Sequence, residues 1–235
     1  MNFYFIPFAG GSEISYNPLV NILSSKGHNC YQCSLPGRGR RFKEDFLKTV
    51  PEMAQDIFLQ IKDKLIENNY VLFGHSMGAL LTTHVLALIK EHNAPMPQYV
   101  FLSGRGGEIK RPSPPYKSEM DSATFRSELK KMGGIPDEVF NEESIMSFFE
   151  PIIKADFKAI ESYEPIDVTL YGLKVMVYYG RDDDFSLEQV ACWQRISTQK
   201  ISCKAFDGGH FFVLDEREAI IEDMLLQINS GVLLK

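Results

Sequence analysis

At 235 residues and 44% hydrophobic, the chain can bury one substantial core, so a single domain over residues 1–235 is expected. A net charge of −6 gives no overall basic footprint and argues against nucleic acid or an anionic membrane as partners. The apolar start Met1 to Pro7 has no basic flank and is too short for a signal or a span, and no later stretch reaches spanning length; a cytoplasmic chain with reduced thiols is expected.

Phe3 to Ile6 reads as a first buried strand, ended by Pro7 and the turn Ala9-Gly10-Gly11-Ser12. An amphipathic stretch from Tyr16 to Lys26 stops at Gly27, in the place of a helix C-cap. Asn29 to Leu35 reads as a second strand, leading into the glycine- and arginine-dense loop Pro36-Gly37-Arg38-Gly39-Arg40-Arg41. Cys30 and Cys33 form a C-x-x-C, but their odd offset points them to opposite faces of a strand, and Cys192 and Cys203 supply no second close pair. Buried thiols are therefore expected, with no metal and no cofactor. Val50 to Glu67 carries Met53, Ile57, Phe58, Ile61 and Leu65 at helical spacing.

The apolar run Tyr70 to Phe73 then meets Gly74-His75-Ser76-Met77-Gly78 and the helix-like stretch Ala79 to Lys90. Small residues two places either side of a serine, between a strand and a helix, allow the two backbones to approach closely while the serine is pushed outward. Another strand follows from Tyr99 to Ser103. The rhythm breaks from about residue 105 to 163, where a proline-rich start (Pro112, Pro114, Pro115) precedes helix-like pieces at Ser122 to Met132 and Glu142 to Ile160, separated by Gly133-Gly134-Ile135-Pro136. This reads as a helical insertion, with Phe125, Met132, Phe140, Phe148, Phe149 and Phe157 facing the core or a pocket; the pattern alone fits a lid or ordinary packing.

Alternation resumes with a strand at Lys174 to Tyr179, an acidic loop Gly180 to Phe185, and a helix from Ser186 to Ile196 opened by the capping-box pattern Ser186-x-x-Gln189. Lys200 to Phe206 is the last strand, Asp207-Gly208-Gly209-His210 its terminal loop, and Val213 to Ile228 the closing helix. Strands alternating with helices predict an α/β fold with a mostly parallel central sheet and helices on both faces.

In such a sheet the loops at the carboxyl ends of the strands emerge on one side, so Ser76, the acidic loop and His210 can converge. Their order, nucleophile then acid then histidine, is that of α/β-hydrolases. Of the five histidines, only His210 lies on a glycine-flanked loop after a strand, where it could accept the serine proton. Asp182, Asp183 and Asp184 are consecutive; the G-x-x-D spacing from Gly180 favours Asp183, with Asp182 next. Oxyanion donors are expected at the backbone N–H of Met77, after the nucleophile, and of Ala9, in the loop after the first strand. The glycines of that loop could also serve only as a turn.

These residues resemble the type II thioesterases that accompany nonribosomal peptide and polyketide synthetases. The matching motifs are Pro7-Phe8-Ala9-Gly10-Gly11-Ser12, Pro36-Gly37-Arg38-Gly39-Arg40, Gly74 to Ala79, Gly133-Gly134-Ile135-Pro136, Trp193, and Asp207-Gly208-Gly209-His210-Phe211-Phe212, spread over nearly the whole chain. The first strand starts almost at Met1, so the longer leader of some relatives is not expected. The resemblance implies hydrolysis of acyl or aminoacyl thioesters on the phosphopantetheine arm of a carrier protein, through an acyl-enzyme on Ser76 with His210 and Asp183, and with the insertion as a lid. It implies an acidic carrier-protein partner, for which Arg38, Arg40, Arg41, Lys110, Arg111 and Lys117 are the candidate contacts, and no bound cofactor. A monomer is expected. The competing readings are a stand-alone esterase or lipase on free esters, and a binding protein that keeps the fold.

Overall fold

Period-two alternation along the central strands decides the layers. In β1 (Asn2–Ile6), Tyr4 and Ile6 enter one apolar cluster while Phe3 and Phe5 enter the other. Leu72 against Val71 and Phe73 in β3 (Tyr70–His75), Val100 and Leu102 against Tyr99 and Phe101 in β4 (Tyr99–Ser103), and Val175 and Val177 against Met176 and Tyr178 in β5 (Val175–Gly180) repeat the division. Strands apolar on both faces must be covered on both faces, which is the condition of a parallel sheet. With β2 (Asn29–Gln32) and β6 (Ser202–Phe206) they form a six-stranded sheet in the order β2-β1-β3-β4-β5-β6, every pairing parallel. The computed structural model describes all residues except 66–68, 108–111, 165, 167–168, 170–171 and 233–235.

One face is covered by α2 (Val50–Ile61) and α3 (Met77–Glu91), whose buried apolar side chains belong to the Tyr4 cluster. The helix α2 opens with a capping box between Thr49 and Glu52, each satisfying the other's free amide; the longer helix expected to reach Glu67 instead tightens into a 3₁₀ turn at Lys62–Lys64, and residues 66 and 67 lie outside the described residues. The other face is covered by α1 (Asn17–Ser25) and by the C-terminal helices, through Leu19, Leu23, Ile220, Ile221 and Met224. Gly27 closes α1 with φ +82°, the left-handed conformation a helix stop favours.

Between β4 and β5 the described residues form α4 (Ser122–Met132), α5 (Asp137–Asn141) and α6 (Glu143–Glu161), with no strand among them. Phe125, Leu129 and Ile153 make a small cluster of their own, joined by Met120, Ile135, Phe140 and Phe157. Phe148 departs from the inward direction expected of it: it is 53% exposed and packs edge-on against Phe149 at a centroid distance of 5.4 Å. Beyond β5 come α7 (Leu187–Ala191), started by the Ser186–Gln189 capping box, then α8 (Phe212–Asp215) and α9 (Arg217–Val232). None of the helices described is long and apolar enough to cross a membrane.

Three expectations are corrected. The second strand ends at Gln32, because as the sheet's edge it alternates exposed and half-buried residues; Cys33 still donates its N–H to the Phe5 carbonyl at 2.9 Å. Cys30 and Cys33 do join opposite clusters, but Cys192 and Cys203 are exposed, one in a surface 3₁₀ turn and the other on the outer strand β6. The closing helix is interrupted at Glu216, whose N–H is taken by the Phe212 carbonyl at 2.8 Å as α8 ends.

Candidate active site

The strand β3 runs fully buried to His75 and turns at Ser76, which has φ +55° and ψ −116°, a strained conformation for a residue with a Cβ. The glycines either side permit it. A Cβ on Gly74 would lie 2.2 Å from the Gly78 carbonyl oxygen, and one on Gly78 would lie 2.3 Å from the Ile6 carbonyl oxygen. Strand, elbow and helix are thus in backbone contact, and the Ser76 N–H is anchored on the Ser103 carbonyl of β4 at 2.7 Å. Met77 is the first residue of α3, so its N–H is one of the amides that a helix start leaves without an intrahelical partner.

The loops after β5 and β6 are stitched together. Arg181 N–H donates to the Phe206 carbonyl at 2.9 Å and Asp182 N–H to the Gly208 carbonyl at 3.1 Å, while a Cβ on Gly180 would come within 2.5 Å of the Gly208 and Gly209 carbonyl oxygens. Of the three aspartates, Asp182 and Asp184 are exposed, whereas the Asp183 side chain is turned inward and 6% exposed. Its Oδ2 lies 3.0 Å from His210 Nδ1, and His210 Nε2 lies 3.0 Å from Ser76 Oγ. A carboxylate only accepts, so Nδ1 carries the proton and Nε2 is left to accept from the serine hydroxyl. The Asp183 Oδ1 also accepts the Asp184 N–H at 2.9 Å, which fixes the carboxylate's orientation.

His75, next to the serine, packs beside His210 at a ring-centroid distance of 5.2 Å but is engaged elsewhere: it is fully buried, its Nδ1 is 3.0 Å from Ser103 Oγ, and its backbone N–H reaches the Tyr16 hydroxyl at 3.3 Å. Burial, and then the neighbouring His210, hold its pKa well below the usual imidazole value, so it stays neutral. The other three histidines pack on Phe3, Tyr163 and Phe58, away from the serine.

Of the loop after β1, Gly11 N–H donates to the Phe8 carbonyl at 2.8 Å and Gly10 N–H to Asp156 Oδ2 at 2.7 Å; Ala9 lines the cavity beside Ser76. That cavity has a volume of about 390 Å³ and is walled by Leu129, Met132, Ile153 and Phe157 from the insertion and by Phe211 and Leu214 behind His210. No carboxylate lines it among the described residues. Arg105 also lines it, and its carbonyl accepts the buried indole N–H of Trp193 at 2.7 Å.

Arg38, expected at a partner surface, is instead 2% exposed and makes a two-pronged ion pair with Asp156 at 2.5 and 2.8 Å. The reason is Asp156, which stands fully buried on the inner side of α6 and needs a cation there. Arg41 is engaged by Glu44 and Asp56, and Lys117 by Glu128; Arg40 projects, with its side chain 91% exposed; Lys110 and Arg111 lie outside the described residues. Asp156, and Tyr16, whose hydroxyl donates to the Ile6 carbonyl at 3.0 Å, are site residues that no motif in the sequence singles out. Asp156 did leave a signal, a carboxylate three residues after Ile153 on the buried face of an amphipathic helix, a face it shares with one other carboxylate, Glu150.

A parallel sheet whose buried third strand delivers a strained serine to a histidine and an aspartate from the ends of its last two strands is the architecture of an α/β-hydrolase. The thioesterase domain profile matches residues 2–227, and the chain belongs to that family of hydrolases acting on thioesters. It is similar to Thioesterase PikA5 of Streptomyces venezuelae, with 26% identity over 227 residues covering 93% of this chain and 78% of that one. It is also 25% identical to Gramicidin S biosynthesis protein GrsT of Aneurinibacillus migulanus, over 97% of this chain and 89% of the relative. Among solved structures, ClbQ from the colibactin NRPS/PKS pathway superposes with a TM-score of 0.90 at 25% identity, covering 100% of this chain and 99% of that one.

Proposed function

We propose that the protein removes acyl groups from the phosphopantetheine arm of carrier proteins in nonribosomal peptide or polyketide synthesis, with Ser76 as nucleophile, His210 as general base and acid, and Asp183 as its orienting carboxylate. The observation that carries this reading is the unbroken line from Asp183 through His210 to Ser76, opening on an apolar cavity. Ser76 Oγ attacks the thioester carbonyl as Nε2 takes its proton; the N–H groups of Met77 and Ala9 receive the developing oxyanion; the pantetheine thiolate leaves with the proton from His210. Water, deprotonated by the same imidazole, then releases the acyl group from the serine. At roughly 30 Å³ per water-sized group, the cavity holds an acyl portion on the order of ten heavy atoms.

The α4 to α6 segment serves as the lid over that cavity. The carrier is an acidic protein, and Arg40 is the best placed of the candidate cations to meet it. The protein acts as a cytoplasmic monomer, and the chemistry draws on no cofactor beyond the substrate's own phosphopantetheine. Support for the pathway comes from the relatives, which include a gramicidin S biosynthesis protein and a protein of the colibactin NRPS/PKS pathway.

The test is intact mass spectrometry of carrier proteins loaded with acetyl, hexanoyl and aminoacyl groups. Wild type should strip the acyl mass and Ser76→Ala should leave it in place. Acyl groups untouched by wild type, while a free ester of the same acid is cleaved, would move the protein to the esterases.

A further inference from the structure

The ion pair between Arg38 and Asp156 joins three elements distant in sequence: the loop after β2, the helix α6 and, through the Gly10 N–H, the loop after β1. Both side chains are buried, with Arg38 2% and Asp156 0% exposed. A buried pair of this kind is weak evidence for stability, since apolar side chains of similar volume commonly replace one without loss. Its placement calls for another explanation.

Phe8, Ala9, Gly10 and Gly11 form a tight turn, closed by Gly11 N–H to the Phe8 carbonyl at 2.8 Å, with Gly10 at φ +76° in the third position, as a type II turn requires. Type I and type II turns differ by a flip of the central peptide, here the Ala9–Gly10 unit. The Gly10 N–H belongs to that unit, and Asp156 Oδ2 accepts it at 2.7 Å. The carboxylate therefore selects one of the two turn forms. The Ala9 N–H assigned to the oxyanion lies in the preceding peptide, which a flip leaves in place; the carboxylate acts on it by pinning the Gly10 amide, and with it the position of the whole turn, to α6. One turn of α6 earlier, Ile153 packs on the same glycine, where an added Cβ would meet its Cγ1 at 2.7 Å. The helix that walls the acyl cavity thus holds the oxyanion loop by one polar and one apolar contact.

We propose that Asp156, clamped by Arg38, is a positioning residue for the oxyanion hole, so that the hole is assembled only while α6 is seated on the Gly10 turn. The inference rests on the serine-hydrolase reading above. Arg38 orients both carboxylate oxygens, so that Oδ2 presents one lone pair to the guanidinium and another to the Gly10 amide. Neither side chain touches the reacting atoms.

The experiment compares wild type, Asp156→Asn, Arg38→Lys and the double variant Arg38→Met with Asp156→Leu. The double variant matters most: it removes both charges together, so no uncompensated ion is left inside, but it leaves the Gly10 amide without its acceptor. Removing an oxyanion donor outright lowers kcat by about 10²–10³, and a donor that is misplaced should lose at least about tenfold. The double variant should keep wild-type thermal stability and lose kcat on an acyl-pantetheine thioester by that factor, with KM within about threefold. Its affinity for an alkylboronic acid, which forms a tetrahedral adduct on the serine, should fall in parallel with kcat/KM, whereas a purely structural role would leave that affinity alone. Asp156→Asn, which keeps an oxygen able to accept from Gly10, should lose less than the double variant. A stable double variant with wild-type kcat and boronate affinity overturns the proposal. Failure of the parent reading looks different, because wild type itself would then neither turn over the thioester nor bind the boronate.

Discussion

Replacing Asp183 by Asn keeps the side chain's shape and removes its charge, which isolates the electrostatic share of the His210 geometry. When Ser76 gives up its proton, the imidazolium lies beside a carboxylate whose Oδ2 is 3.0 Å from Nδ1 and which is 6% exposed, so solvent screens the pair little. Unit charges about 4 Å apart at an effective dielectric constant of about 20 attract by about 4 kcal/mol. At about 1.36 kcal/mol per decade, that corresponds to a loss of roughly 10³ in turnover. An amide can also present its NH₂ to Nδ1, which forces the proton onto Nε2 and removes the acceptor for the serine hydroxyl; this moves the loss towards about 10⁴. The assay is release of free thiol from an acyl-pantetheine thioester, run beside thermal unfolding, where the variant should stay within a few degrees of wild type. Asp182→Asn, at an exposed neighbour whose backbone alone is engaged, should retain turnover within about twofold. Retention of more than about a tenth of wild-type activity by Asp183→Asn, or a larger loss in Asp182→Asn, would refute the assignment.

Gly78→Ala should yield little folded protein, or protein with at least about a hundredfold less activity, because its Cβ would sit 2.3 Å from the Ile6 carbonyl oxygen and 3.1 Å from that of Pro7, both backbone atoms leading into the Ala9 turn; near-wild-type yield and turnover would show that the contact yields easily. Val139→Trp, which adds bulk to the cavity wall, should lower kcat/KM for a long-chain acyl thioester by at least about tenfold while leaving an acetyl thioester within about threefold; equal losses on both would place the acyl chain elsewhere. Burial, and then Arg195, push the pKa of His84 down to about 4. Between that value and the ordinary 6.5, the unfolded chain takes up a proton that the folded chain refuses, so this group's contribution falls as pH drops through the window, by at most about 1.4 kcal/mol per pH unit. His75 adds to the effect in the same direction. Urea midpoints at pH 7 and pH 5 should therefore differ less in His84→Leu than in wild type, and an unchanged difference would contradict the shift.

What could be read in the chain was whatever rests on short-range pattern. The apolar runs of β1, β3, β4 and β5, the glycines two places from Ser76, and the Ser186 capping box are each decided by neighbours a few residues away, and each appears where the sequence places it. An apolar run says nothing of where a strand's pairing stops, so β2 ends at Gln32, three residues short of the Leu35 its sequence suggests; the break at Glu216 has no glycine or proline to announce it. Arg38 shows the deeper difficulty. In the sequence it stands among arginines and glycines, and loop cations are ordinarily solvated, so a surface role follows from composition. Its actual place is dictated by a carboxylate 118 positions later, and neither residue alone reveals the pairing.

Two facts taken together could have revealed it. Asp156 follows Ile152 and Ile153 and precedes Ala159 and Ile160, on the buried side of an amphipathic helix, where an unpaired carboxylate is too costly to persist. A helix that covers an apolar cavity has few ways to meet such a charge except through a cation from the sheet's own loops, and the loop after β2 is the glycine-rich one that carries them. Gly37 and Gly39, with φ +82° and +51°, bring that loop into conformations other residues rarely adopt, and Arg38 between them is turned inward while Arg40 is left outside. Burying Arg38 thus follows from the insertion's need to anchor one helix. The same anchor holds the Gly10 amide, so a requirement that begins as a matter of packing ends at the backbone facing the nucleophile.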